Sequence, residues 1–108
     1  VLVSGSFPAV LEPIARDLGI AKILAAQMDV SAGVYTGFLS APPMVGAGKR
    51  EAVKALLSSA ALAQASYAYG DDVSDIPMLS VVGHPVVVAG GRLSSAEAEK
   101  LGWRLIAV

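Results

Sequence analysis

Strand-like runs alternate with amphipathic helical patterns along this chain, and the alternation constrains its fold more than any other feature. Residues 1–3, 66–69 and 85–89 are predicted strands, and the first and last are continuous apolar runs, typical of strands buried on both faces of a parallel sheet. The hydrophobic content of 55% against 16% charged residues supports such burial. Strands that alternate with helices indicate a sheet covered by helices. We therefore predict an α/β fold with a parallel sheet.

The first half of the chain contains a predicted helix and a predicted hairpin. Residues 8–18 carry apolar side chains at helical spacing. Pro8 can occupy the first turn of this helix, because its missing N–H has no partner there, and Gly19 is its predicted C-cap. Residues 28–38 contain two extended segments around Ala32-Gly33, which predicts a β-hairpin.

The second half of the chain has three predicted helices. Residues 49–65 have apolar positions at helical spacing, and we expect them to form the longest helix. Asp75 is expected to cap a short helix, and Ser95 to cap a helix that ends at Leu101. A last strand is predicted over residues 105–108. A chain of 108 residues is the size of one domain.

Composition excludes several classes of function. The 8 basic and 9 acidic residues give a net charge of −1, so we expect no nucleic-acid partner, because backbone binding needs a basic surface. No apolar run reaches the roughly 18 residues of a spanning helix, so no membrane segment is expected. The absence of cysteine excludes disulfides and thiolate zinc sites. It is compatible with a reducing cytoplasm, the location that we expect.

An acidic loop is the strongest local signal for chemistry. Residues 70–75 read Gly-Asp-Asp-Val-Ser-Asp and directly follow a predicted strand. Clustered carboxylates without Cys or additional His favour a hard cation such as Mg²⁺ over zinc. An ordinary turn that uses Asp71 and Asp75 as turn and cap residues would have the same sequence. The loop alone therefore leaves both interpretations open.

Two further positions are candidates for phosphate binding. Ser4 follows the first strand and can offer its hydroxyl, although a plain turn serine would look the same. Lys49 lies at a predicted helix start, where a cation opposes the helix dipole, and a solvated surface lysine is the alternative. The P-loop pattern is rejected, because it needs Gly at Pro43 and Ser or Thr at Arg50. His84 has no acid or nucleophile near it in sequence, so we expect a structural role.

Taken in order, residues 1–4, Lys49 and residues 70–75 resemble three of the four motifs of the haloacid dehalogenase superfamily. Several further segments are similar to its phosphoserine-phosphatase-like subfamily IB hydrolases: Leu18-Gly19-Ile20, Gly33-Val34-Tyr35-Thr36-Gly37, Gly48-Lys49, Tyr69-Gly70-Asp71, Asp75-Ile76-Pro77-Met78-Leu79, Val82-Gly83-His84-Pro85 and Gly102-Trp103. The resemblance implies a Rossmann-like three-layer α/β/α core and a Mg²⁺-dependent hydrolase that acts on a small phosphorylated metabolite.

The resemblance also implies roles for individual residues. Ser4 and Lys49 would hold the transferred phosphoryl group together with the amide of Gly5. Asp71 would bind Mg²⁺, and Asp75 would complete the metal site by orienting Lys49 or a metal-bound water. These four side chains, Ser4, Lys49, Asp71 and Asp75, are the predicted catalytic residues. The metal and the ammonium would offset charge on the phosphoryl oxygens.

The family nucleophile has no counterpart in these residues. In the family, the first strand ends in Asp-x-Asp, whose leading Asp attacks phosphorus to form an aspartyl-phosphate, and no segment of this sequence matches that pattern. We therefore expect residues 1–108 to be the larger, C-terminal part of one core domain. The nucleophile strand and the cap domain, which selects the substrate in this family, are expected upstream of residue 1. The 108 residues alone are expected to be inactive. A non-catalytic Mg²⁺- or phosphate-binding regulatory domain of a larger polypeptide is the alternative.

Two departures from the family pattern concern loops. Asp72 stands where relatives commonly carry Gly or Ser. This additional carboxylate beside the metal ligand could alter metal affinity or simply face solvent, and we expect the second. Residues 89–93 replace an Asn-Pro pair that relatives have after the last core strand. We expect this replacement to alter the local loop geometry and to leave the chemistry unchanged.

Overall fold

The computed structural model describes residues 1–108, which form two compact units, residues 1–49 and 50–108. The first unit contains, in order, β1 (Leu2–Val3), α1 (Pro8–Asp17), β2 (Ile23–Leu24), β3 (Met28–Ser31) and β4 (Val34–Leu39). Helix α2 (Ala47–Leu56) starts in this unit and continues into the second. None of the helices combines the length and the apolar character needed to cross a membrane.

Strands β1 and β2 pair in parallel and are joined by α1. Pro8 is the first residue of α1, as predicted, and Leu11 and Ala15 are its buried residues. After the helix, Gly19 has a positive φ of 68°, and the N–H of Ile20 donates to the carbonyl of Ala15 at 2.8 Å. This left-handed residue ends the helix because glycine adopts the conformation without steric cost.

Strands β3 and β4 form the predicted hairpin. They pair antiparallel with Ser31 opposite Val34, so the connection has two residues. Ala32 has a φ of 50° and Gly33 a φ of 77°, which is the signature of a type I′ turn, whose twist matches that of the flanking strands. The side chain of Thr36 donates to Asp29 Oδ2 at 2.8 Å across the pair.

The second unit is built around a three-stranded parallel sheet. After α2 come α3 (Ala60–Ala65), β5 (Tyr67–Gly70), a 3-10 turn (Val73–Asp75), α4 (Ile76–Leu79), β6 (His84–Val88), α5 (Ser95–Leu101) and β7 (Arg104–Ile106). The sheet order is β5-β6-β7, and both pairs are parallel. Its core includes the fully buried side chains of Leu79, Val87 and Leu93. The prediction of an α/β fold with a parallel sheet is confirmed.

The prediction of one long helix over residues 49–65 is wrong. The chain forms two helices, α2 and α3, separated by residues 57–59. Ser59 has an extended backbone with φ −145° and ψ 155°, and its hydroxyl accepts from the N–H of Leu62. A serine side chain satisfies a free N–H at a helix start, so Ser59 begins a new helix despite the helical propensity of the surrounding alanines.

Two boundaries near the end of the chain also differ from expectation. Ser94, not Ser95, caps α5, because its Oγ accepts from the N–H of Glu97 at 3.2 Å. Glu97 Oε2 accepts in return from the N–H of Ser94 at 3.1 Å, which completes a capping box. The last strand is β7, which ends at Ile106 and does not extend to residue 108.

Candidate active site

The acidic loop lies at the carboxyl edge of the three-stranded sheet. Strand β5 ends at Gly70, which pairs in register with Val87 of β6, and Asp71 follows directly. The loop after β6 therefore starts beside Asp71. In open parallel sheets, ligands bind at the carboxyl ends of the strands. The topology thus places Asp71 where a functional site is expected.

Hydrogen bonds within the loop fix its conformation. Asp72 is the N-cap of the 3-10 turn, and its Oδ1 accepts from the N–H of Ser74 at 2.9 Å. The N–H of Asp72 donates to Asp75 Oδ2 at 3.3 Å. Asp75 is the N-cap residue of α4, as predicted, but its side chain makes no capping hydrogen bond to that helix. Its carboxylate turns back to the N–H of Asp72 because both are parts of one capping box.

Gly70 allows the buried carboxylate of Asp75 to lie against the end of β5. Asp75 is only 5% exposed. A Cβ on Gly70 would stand 2.8 Å from Cβ of Asp75 and 2.9 Å from its Oδ2. Real side chains do not approach so closely, so any other residue at position 70 would displace Asp75.

Asp72 is paired with Arg92. Arg92 Nε donates to Asp72 Oδ2 at 2.6 Å. This bond, together with the N–H of Ser74, holds the pKa of Asp72 well below its ordinary value of 3.8, because both donors stabilise the ionised form. The same pair raises the pKa of Arg92. The expectation that Asp72 simply faces solvent is wrong, since both of its oxygens are engaged.

Residues 89–93 contact the backbone of Asp71. The N–H of Leu93 donates to the carbonyl of Asp71 at 2.8 Å. Gly90 has a φ of 106°, and a Cβ on Gly91 would overlap the carbonyl oxygen of Asp71. Arg92 is not among the site residues predicted from the sequence. The parallel pairing of β5 with β6 could have indicated Arg92, because it makes the loops that follow these two strands neighbours.

Ser4 and Gly5 lie in the first unit, directly after β1. The N–H of Ser4 donates to Leu24 of β2 at 2.9 Å, which continues the parallel pairing. Ser4 Oγ accepts from the N–H of Ser6 at 3.1 Å. A Cβ on Gly5 would stand 3.1 Å from Cγ1 of Val45, so the backbone here passes close to the segment that precedes α2. Ser4 therefore ends a strand in a small-residue turn, as predicted.

Lys49 is the third residue of α2, in the first turn of the helix, as predicted, and is partly buried. A Cβ on the preceding Gly48 would overlap the carbonyl oxygen of Pro43. A glycine at position 48 therefore allows the chain from Pro43 to turn tightly into the helix. An ammonium group at this end of a helix opposes the helix dipole, as noted from the sequence.

The second unit brings Asp71, Asp72, Asp75 and Arg92 together, whereas Ser4, Gly5 and Lys49 belong to the first unit. Convergence of the two sets on one phosphate stays a prediction. No group of three or more His, Asp or Glu side chains is arranged to hold a metal. Mg²⁺ commonly takes one or two carboxylates and completes its shell with water and phosphate oxygens. The exposed Asp71 with the nearby Asp75 fits that donor requirement.

His84 lies at the other end of the strands from the acidic loop. It starts β6, and its ring stacks on Tyr67 at the start of β5, with centroids 4.4 Å apart and planes at 14°. Both residues lie at the amino ends of their strands, the opposite edge from Asp71. The stacked placement agrees with the structural role that we expected for His84.

A family model provides the class of this protein. Residues 1–80 match the haloacid dehalogenase-like hydrolase family, so the chain belongs to that family. Within the family, the resemblance to phosphoserine phosphatases is confirmed by a relative of that name.

Two relatives from Mycobacterium tuberculosis illustrate the similarity. A protein named as a probable phosphatase is 39% identical over 107 residues, which cover 98% of this chain and 37% of the relative. A protein named phosphoserine phosphatase is 36% identical over 94 residues, which cover 85% of this chain and 30% of the relative. The chain thus spans well under half the length of these relatives.

A solved structure confirms the fold. The crystal structure of a haloacid dehalogenase family hydrolase from Salmonella enterica serovar Typhi matches with a TM-score of 0.75 and 19% identity. The match covers 96% of this chain and 35% of that protein. At this identity the match concerns the fold alone, and it supports the predicted Rossmann-like core.

Proposed function

We propose that this chain is part of a Mg²⁺-dependent phosphomonoester hydrolase of the phosphoserine-phosphatase type. The observation that carries the proposal is the acidic loop at the carboxyl end of β5. There Asp71 is exposed, and Asp75 of the same loop is buried and hydrogen bonded to the loop backbone. The similarity to proteins named as a probable phosphatase and as a phosphoserine phosphatase supports the same reaction class.

The donor set of the loop suits Mg²⁺. Asp71 would bind the ion directly, and Asp75 would complete the site by orienting Lys49 or a bound water. Mg²⁺, when bound, supplies positive charge that offsets the charge on the phosphoryl oxygens. Gly70 contributes by leaving space for the carboxylate of Asp75. Hydrogen bonds within the loop hold its backbone in one conformation.

The first unit would supply the phosphate ligands. Ser4 Oγ and the backbone N–H of Gly5 follow β1, where small-residue turns commonly bind anions. The ammonium of Lys49 would add a positive charge on the same phosphoryl group. We propose that these donors and the acidic loop act on one phosphate.

The nucleophile would come from another part of the polypeptide. The family nucleophile belongs to an Asp-x-Asp pattern, which no segment of the 108 residues carries. We propose that the nucleophile and the cap domain lie outside residues 1–108. We also propose that an aspartyl-phosphate intermediate divides hydrolysis into two easier steps. On this proposal, residues 1–108 are inactive alone and form the larger, C-terminal part of a core domain. The cytoplasmic location stays a prediction.

The substrate class is a small phosphorylated metabolite resembling phosphoserine. To test the function, the full-length protein is assayed against phosphoserine, other small phosphomonoesters and p-nitrophenyl phosphate. We expect phosphate release with Mg²⁺, loss of release with EDTA, and recovery on addition of excess Mg²⁺. Hydrolysis that EDTA leaves unchanged would contradict the metal proposal. Mg²⁺ binding without hydrolysis of any phosphomonoester would favour the non-catalytic binding domain instead.

A further inference from the structure

An ion pair links two loops at the carboxyl edge of the sheet. Asp72 Oδ1 accepts from Ser74 within its own turn, while Asp72 Oδ2 accepts from Arg92 Nε at 2.6 Å. The two residues of the pair are 20 positions apart in sequence. Asp72 therefore connects the acidic loop to residues 89–93, which follow the neighbouring strand.

A backbone hydrogen bond joins the same two loops at Asp71 itself. The N–H of Leu93 donates to the carbonyl of Asp71 at 2.8 Å, and Leu93 is 1% exposed, which anchors this end of the loop in the core. The backbone at Gly91 lies so close that a Cβ there would overlap Asp71. Asp71 is thus held through its backbone, and its side chain remains exposed.

We propose that Arg92 is a positioning residue for the metal ligand Asp71. The Arg92–Asp72 ion pair holds residues 89–93 against Asp71, so that the Leu93 hydrogen bond persists and the carboxylate of Asp71 is oriented before Mg²⁺ binds. We refer to this ion pair together with the Leu93–Asp71 hydrogen bond as the Arg92 latch. The inference rests on the proposed function, because the latch has this role only if Asp71 binds Mg²⁺.

A positioning role and a merely stabilising role for Arg92 differ in what loss of the ion pair would change. The side chain of Arg92 is 81% exposed, and exposed ion pairs contribute little to global stability because solvent screens them. Groups that orient a metal ligand, by contrast, strongly affect metal affinity. Loss of the pair should therefore weaken Mg²⁺ binding with little change in the unfolding midpoint. The earlier expectation that residues 89–93 leave the chemistry unchanged is replaced by this proposal.

Calorimetric titration of the full-length protein with Mg²⁺ alone tests the latch. We expect Arg92→Ala and Asp72→Asn each to weaken Mg²⁺ binding by about 10-fold, with no further loss in the double variant, because both remove one interaction. Arg92→Lys should recover part of the affinity. Arg104→Ala is the matched control, since Arg104 is an exposed arginine at the start of β7, away from the carboxyl edge, and it should bind Mg²⁺ as the wild type does.

A second measurement tests the latch without metal or activity. In EDTA, hydrogen exchange of the Leu93 amide should be faster in Arg92→Ala than in the wild type, and unchanged in Arg104→Ala. Equal Mg²⁺ affinity of wild type and Arg92→Ala would overturn the latch and leave the proposed function standing. A raised KM for the phosphomonoester with unchanged Mg²⁺ affinity would also overturn it, because Arg92 would then contact substrate. A wild-type protein that binds no Mg²⁺ would overturn the proposed function and the latch together.

Discussion

Asp71→Asn in the full-length protein is expected to lower Mg²⁺-dependent phosphatase activity by about 10²–10³-fold. Asparagine keeps the size of the side chain and one oxygen, but it removes the negative charge that holds a divalent cation. Asp71 follows β5 directly and is exposed, so the change should leave folding intact. The measurement is the rate of phosphate release at saturating phosphomonoester, over a range of Mg²⁺ concentrations.

Asp17→Asn is the matched control for this substitution. Asp17 is the exposed last residue of α1, so the same chemical change there should leave activity unchanged. Unfolding midpoints of both variants should match that of the wild type. Wild-type activity in Asp71→Asn at every Mg²⁺ concentration would refute the assignment of Asp71 to the metal.

Leu79→Ala is expected to destabilise the protein by about 2–5 kcal/mol. Leu79 is 0% exposed in α4, the helix that directly follows the acidic loop. Truncation removes buried apolar contacts and leaves a cavity that the surrounding side chains cannot fully close. The measurement is the shift of the urea midpoint of the full-length protein.

Leu62→Ala provides the comparison, because Leu62 is 46% exposed in α3 of the same unit. This substitution should lower the free energy of unfolding by only about 0.5 kcal/mol. Equal losses of stability in the two variants would show that Leu79 is not part of a closely packed core. The description of the second unit would then be wrong.

Local signals explain which parts of the fold were predictable from sequence. The left-handed Gly19 ends α1, and Ala32-Gly33 forms the turn of the hairpin, because such backbone conformations depend on residue type at single positions. The parallel sheet followed from the order of strands and helices. The break at Ser59 was missed because the alanines on both sides have high helical propensity, which conceals a serine that can cap a new helix.

The candidate site was predictable only in part. Asp71 was found because three carboxylates follow a strand, and the family resemblance, now confirmed, supplied its proposed role. The Arg92–Asp72 pair was missed because its two residues are 20 positions apart and meet only through the pairing of β5 with β6. The reversal of Asp75 toward the N–H of Asp72 was also missed, since a capping box and a simple helix cap use the same residue types.

A crystal structure of the full-length protein with Mg²⁺ and phosphate tests the central claim most directly. We predict that an Asp71 oxygen lies about 2.1 Å from Mg²⁺, and that Ser4 Oγ and Lys49 Nζ each lie about 3 Å from oxygens of one phosphate beside that ion. Binding of Mg²⁺ away from Asp71, or a phosphate beside the metal that neither Ser4 nor Lys49 contacts, would contradict the proposal.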